Sequence, residues 1–457
     1  SSNPNTDPIN WGELISNSSG RIFTVSSKDE FNIAANSAQP GDVITIADGT
    51  YQWSGLTIAS SGTEQDPIIY TAQNLGQVTF ENAYDLFTLT GSHNIIGGFT
   101  INNVENRVFD LSGATDNRIT DNTINSPGPT IGGFWPWLEI AQQSHRTRID
   151  HNVVDGASTL LRLLLDNDAV TNGPSQDVRI DHNTFRNSPW DAGPPIQIAQ
   201  GDESFPGSEA LETRTVIEHN HIYNYKHRSN GVLQVKSSRN IIRYNDIEDS
   251  TGGLYQRAGV HNEWYGNYVH GGGNGFAIII GGAYHKIYNN IVDSPTKMGL
   301  NMVRSGGNAN PTHDNLIAHN TILSYGPCNC GWGTTGFSIG TVSGSVDTKT
   351  DPIYNNQIVN NIIIGTEGQL FRYEEGSYAG YILVNNYNNT IENNLYYATG
   401  NALLGSGIPY DSLASVGNPM LNGYTPTSNS LLVNGKGIDI PDYPGILNDI
   451  GAVACCR

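Results

Sequence analysis

A chain of 457 residues with a formal charge of −20 and only 14% charged residues is too apolar for disorder. It is also too acidic for nucleic acid or an anionic membrane to be its main partner, because phosphate binding runs on Lys and Arg. A length beyond one ordinary core, with 52 glycines, points to one elongated repeat rather than several globular domains.

The opening SSNPNTDPIN reads as a processed mature end. Sequons at Asn17 and Asn388 and an even cysteine count fit a secreted glycoprotein. The cysteines form two tight pairs, Cys328/Cys330 and Cys455/Cys456; a disulfide pinning the C-terminal tail is expected, with free or metal-bound thiols the alternative. Next comes SSKDEFNIAANSAQPGD, where Ser27 and Glu30 have capping-box spacing and Phe31, Ala34 and Ala35 share one face before Pro40-Gly41. This predicts a short helix plugging the open end of a solenoid. The longest apolar run, LLRLLL at 160–165, falls well short of the roughly 20 residues a membrane span needs.

From residue 118 one phrase recurs: RITDNTI, RIDHNVV, RIDHNTF, VIEHNHI, IIRYNDI, EWYGNYV, KIYNNIV, LIAHNTI, QIVNNII and TIENNLY. Its asparagines are Asn122, Asn152, Asn183, Asn220, Asn245, Asn267, Asn290, Asn320, Asn361 and Asn394. Short β-branched segments such as GFAIIIGG and NNIIIG, bounded by Gly or Asn, favour strands, apolar on both sides as parallel strands are. The expected fold is all-β, a right-handed single-stranded parallel β-helix with an N-terminal cap helix. Asparagine at one place per coil has two uses there: it tolerates left-handed backbone at a bend, and its stacked amides form a ladder. The segments are 1–40 for the N-terminal part and cap, 41–400 for the β-helix, and 401–457 for a tail packed on it, in one domain.

LQVKSSRNIIRYN carries a lone lysine, Lys236, at the end of a strand-like run. Arg257 stands one minimal coil later, 21 residues on, so the two cations are vertical neighbours on one sheet face, about 4.8 Å apart in strand spacing. Alternation sends Val232, Gln234 and Lys236 outward and Leu233 and Val235 inward. Two such cations are either a solvated groove wall or a device, in which Arg257 lowers the lysine pKa from about 10.4 toward the 7–8 that suits a general base.

Residues 216–271, together with AQPGDVITIADGTY, DPIIYTA and RIDHNTF, resemble the family-6 polysaccharide lyases, which include alginate lyases and chondroitinase B. The resemblance implies a right-handed parallel β-helix with Lys236 as general base and Arg257 as the acid. It also implies a calcium ion on two glutamates, but the matching positions here are Ser229 and Gly231. The family's Arg-His-Gly is Arg257-Ala258-Gly259, and a frequently basic position is Ala277.

β-Elimination from a uronate needs charge on its carboxylate stabilised. In place of calcium, the basic triplet Lys226, His227 and Arg228 is the expected substitute, with Arg228 or protonated His227 clamping the carboxylate. No cofactor or metal is therefore expected. Tyr255 and His261 compete with Arg257 as proton donors, since a guanidinium is a poor acid. Gln234 shares the Lys236 face, Arg304 and Arg162 are candidates for flanking subsites, and Trp135, Trp137, Trp190 and Trp264 for stacking on sugar rings.

The expected protein is a secreted monomeric lyase of an acidic polysaccharide, alginate first, with no nucleic-acid or membrane partner. The alternatives are a lyase of a dermatan- or glucuronan-like chain, a C5 uronan epimerase, and a non-catalytic glycan-binding β-helix. A hydrolase ranks low because the carboxylates near Lys236 (Asp246, Glu248 and Asp249) fall in a turn.

Overall fold

The computed structural model describes residues 8–128, 136–189, 192–198, 210–226, 231–271, 276–293, 298–303, 312–324, 335–339, 353–373, 388–405 and 411–427. The chain divides into two compact units, Ser1–Gly201 with Leu211–Arg228, and Asp202–Ala210 with Ser229–Arg457.

In the second unit Ile241–Arg243, Asp246–Glu248 and Gly253–Gln256 form one coil, and Glu263–Tyr265, Tyr268–His270 and Phe276–Ile280 form the next. Each strand pairs in parallel with its equivalent one coil on: Ile242 with Trp264, Ile247 with Val269, Leu254 with Ile278. The first unit winds the same way, Ile119 pairing with Ile149 and Ile149 with Ile180. Three parallel sheets built from such coils make a parallel β-helix. The strands are short because only the central residue of each phrase faces the core; Ile119, Ile180, Ile217 and Ile242 are wholly buried, and a polar turn follows at once.

Inside each unit the asparagines stack. Asn122 donates from Nδ2 to Asn152 Oδ1, Asn152 to Asn183 and Asn183 to Asn220, each at 3.0 Å. Asn245, Asn267, Asn290, Asn320, Asn361 and Asn394 repeat the pattern, and Asn394 ends it on Asp411 Oδ2 at 2.8 Å. The left-handed backbone, however, belongs to the preceding residue: His151, His182, His219, Tyr244 and Asn289 have φ between 53° and 55°. An amide that must point inward to stack cannot also sit at the bend, so the neighbour turns the corner.

A second ladder lies five residues upstream. It runs Asn240, Asn262, His285, Asn315, Asn356, Asn389, with Asn240 donating to Asn262 at 3.0 Å, the Asn262 N–H to His285 Nδ1 at 3.1 Å, and Asn315 to Asn356 at 2.9 Å. In the first unit buried charge does similar work. Arg118 pairs with Asp150 through Nε at 2.9 Å, and Arg148 with Asp181 at 2.9 Å. Burial pushes the Asp150 carboxyl up, but hydrogen bonds from His151 and Arg118 outweigh it and hold the carboxyl at about 2.

The cap helix is Lys28–Ser37, with the Ser27/Glu30 capping box formed and Phe31, Ala34 and Ala35 buried. Phe31 packs against Tyr70, ring centroids 6.0 Å apart. A further helix, Trp11–Ser16, lays Trp11 and Leu14 on Val43, Ile69 and Ile95; the sequence reading placed this stretch only in the N-terminal segment and expected no helix there. All four cysteines lie outside the described residues.

Candidate active site

The strands Gly231–Val235 and Gly253–Gln256 are adjacent and parallel, with Gln234 opposite Tyr255 and Val235 opposite Gln256. Lys236 and Arg257 follow directly, and the Arg257 N–H donates to Val235 O at 2.9 Å, so the ladder continues through the pair. The two cations therefore stand on successive rungs. One extra residue on the lysine strand, between Gly231 and Leu233, breaks strict alternation. Gly231 then takes the side expected for Val232: a β-carbon built on it would meet Tyr255 Cβ at 2.5 Å and Gln234 Cγ at 3.3 Å.

Side chains two apart on a strand share a face. Gln234 and Lys236 on one rung thus meet Tyr255 and Arg257 on the next. Lys236 is buried, 7% exposed, and Gln234 is buried at 3%. Arg257 and Tyr255 are half-buried. The Arg257 guanidinium carbon lies 5.8 Å from the centre of the Tyr255 ring, within cation–π range. Burial lowers the Arg257 pKa from its ordinary value and pushes the Tyr255 phenol up to about 12.

The turn after Arg257 is tightly held. Gln256 points inward, its Oε1 accepting from Asn262 Nδ2 and Trp264 Nε1, each at 2.9 Å, while its Nε2 donates to Ala258 O. Gly259, at φ +97°, lies so close to the chain beyond Lys236 that a β-carbon would stand 2.1 Å from Ser237 O. Next to Arg257 the register brings Gly281, whose carbonyl accepts from the buried His285 Nε2 at 3.2 Å. Burial pushes that imidazole down to about 3.

The other candidates are dispersed. His261 lies on the exposed bend beyond Arg257, φ +58°, stacked on Tyr284 at 5.0 Å. Lys226 is exposed, its N–H on Ser188 Oγ at 2.6 Å. Arg162, in the first unit, is committed to Glu139, which also accepts from Arg107 at 2.8 Å. His227, Arg228, Arg304, Ser229, Trp135 and Trp190 lie outside the described residues. Trp137 and Trp264 are 1% exposed, core residues that no sugar ring reaches. The sequence reading missed Gln256 and His285, and named Gly259 only as part of the Arg257-Ala258-Gly259 motif, without a role. Gln256 and Gly259 sit beside Arg257 in the chain, and His285 betrays itself only as the non-asparagine member of the second ladder.

The family model for chondroitinase B matches residues 25–439. The chain belongs to the chondroitinase B family. Among solved structures it resembles the PL6 family alginate lyase AlyGC, at a TM-score of 0.67 and 20% identity over 88% of this chain and 54% of that one. The chain thus spans about half the length of that enzyme. A mannuronic acid specific family 6 lyase from human gut microbiota matches at TM-score 0.66 and 19% identity, covering 83% of this chain and 87% of that one. The PL6 lyase Pedsa3628 from Pseudopedobacter saltans matches at 0.62 and 17%, covering 94% and 99%. These likenesses show the shared fold. Comparison with curated proteins finds no match. The calcium that the family resemblance implies is not expected in this chain, and one of its two ligand positions, Gly231, does not fit it. Gly231 offers no side-chain donor atom, and the volume a glutamate would need is taken by Tyr255.

Proposed function

We propose that the protein cleaves a uronate-containing polysaccharide by β-elimination, with alginate the leading substrate. The observation that carries this is the continuous ladder placing Lys236 and Arg257 on successive rungs, with Gln234 and Tyr255 beside them. Burial and a neighbouring cation are the two conditions that favour a neutral lysine amine, the form able to take a proton from the carbon next to a carboxylate. Arg257 keeps its charge and binds that carboxylate as electrons move onto it. Several of the neighbouring structures are alginate lyases, which supports alginate over dermatan- or glucuronan-like chains.

We place no step through calcium, because the Gly231 position cannot supply the carboxylate ligand. A polymer too large to enter a cell intact is met outside it, which agrees with the sequons and the even cysteine count, so the same proposal makes the protein a secreted one.

The test is purified protein incubated with alginate blocks, dermatan, glucuronan and pectate, followed by ultraviolet absorbance of the new double bond. Unsaturated products from alginate, their loss by at least about 100-fold in Lys236→Ala, and activity kept in chelator are the expected results. Exchange of the C5 proton without double bonds shows an epimerase instead. Binding with unchanged polymer viscosity shows a non-catalytic protein.

A further inference from the structure

The base and the carboxylate clamp leave one duty of the reaction unassigned, the proton for the departing sugar oxygen. Arginine is ill suited to it, since its guanidinium stays charged in proteins. Of the other donors, His261 sits on an exposed bend and is engaged with Tyr284, and His285 is buried and tied to Gly281 and Asn262. Tyr255 stands instead on the shared face of Lys236 and Arg257.

Three observations single out this tyrosine. Its Cβ occupies the space that a side chain at position 231 would take, so it stands where the family's resemblance puts a metal ligand. Its ring is held beside the Arg257 guanidinium. Its hydroxyl makes no hydrogen bond among the described residues, whereas Tyr396 and Tyr424, also sheltered, donate to Asp411 and Asp293. A half-buried phenol against the Arg257 guanidinium and on the face of Lys236, with no hydrogen bond from its hydroxyl among the described residues, is a donor awaiting an acceptor.

On the lyase reading given above, we propose that Tyr255 is the general acid that protonates the leaving oxygen. Lys236 Nζ takes the proton from C5, and the electron pair it leaves forms the C4–C5 double bond. The C4–O bond breaks, and the oxygen takes the Tyr255 phenol proton. The phenolate so formed lies against the Arg257 guanidinium, which stabilises it until water carries the proton from the Lys236 ammonium back to the phenol. The phenol's raised pKa, from burial, keeps it protonated between turnovers.

The experiment compares wild type, Tyr255→Phe and Lys236→Ala on two substrates. One is an alginate oligomer, whose leaving oxygen needs a proton; the other is a uronide with a dinitrophenyl ether at C4, whose leaving group needs none. Phenylalanine keeps the ring over Gly231 and beside Arg257, and matched thermal melting curves verify the fold. Tyr255→Phe is expected to lose at least about 100-fold in kcat on the oligomer and to stay within about threefold of wild type on the activated ether, while Lys236→Ala fails on both. Oligomer activity within about threefold of wild type in Tyr255→Phe overturns the assignment, as does an equal loss on both substrates. A wild-type protein that forms no unsaturated sugar from either substrate overturns the lyase reading itself, and the tyrosine's role with it.

Discussion

Arg257 is aimed from both sides. Gln256 anchors the strand end inward, and Gly259 closes the turn against Ser237 O. Because Gly259 combines φ +97° with a contact that leaves no room for a β-carbon, Gly259→Ala should destabilise the fold by roughly 2 kcal/mol or more and displace Arg257. Urea unfolding and lyase rates measured together check both effects, and an alanine variant of wild-type stability would show that the turn is not strained. At Arg257 itself, charge alone is not enough if the guanidinium clamps a carboxylate with two bonds. Arg257→Lys should therefore cost at least about tenfold in kcat/KM, read on the same oligomers.

At the scale of the element, the coil is held by polar ladders as much as by its apolar core. The amide ladder was legible because one asparagine recurs in every phrase. The second was equally present, since Asn240, Asn262, Asn315, Asn356 and Asn389 each stand five residues before a member of the first, but His285 interrupts it. That interruption has a thermodynamic consequence. The folded imidazole stays neutral down to about pH 3, while an unfolded histidine takes a proton from about pH 6.5 downward. The unfolded chain therefore binds the extra proton, and stability falls as pH drops through that window, by roughly 2 kcal/mol at pH 5. His285→Asn, which offers the acceptor the other rungs use, should narrow the gap in Tm between pH 8 and pH 5. An unchanged gap would mean that other groups govern acid sensitivity.

At the scale of the whole molecule, the charge of −20 sets a long-range field that opposes any polyanion, while Arg257 attracts it only at close range. Salt within the physiological range shortens the Debye length to about 8 Å and screens the far field before it weakens buried contacts. On alginate, kcat/KM should therefore rise as ionic strength goes from about 10 mM to 150 mM. A steady fall would show that local attraction dominates the approach.

Repetition determined the architecture in the sequence alone. A phrase that recurs with one buried apolar residue and one asparagine has few ways to satisfy both except a coil stacked on copies of itself, and counting along that coil was enough to pair Lys236 with Arg257. What the count could not determine was local geometry. The extra residue between Gly231 and Leu233 changes which position shares the face of Lys236, the left-handed residue is the neighbour of the asparagine, and Trp137 and Trp264 turn into the core. Only the tertiary structure decides these, because a bulge, a bend and a burial are settled by which atoms from the adjacent coil already occupy the space. Tyr255 standing over Gly231 is that rule at the site itself.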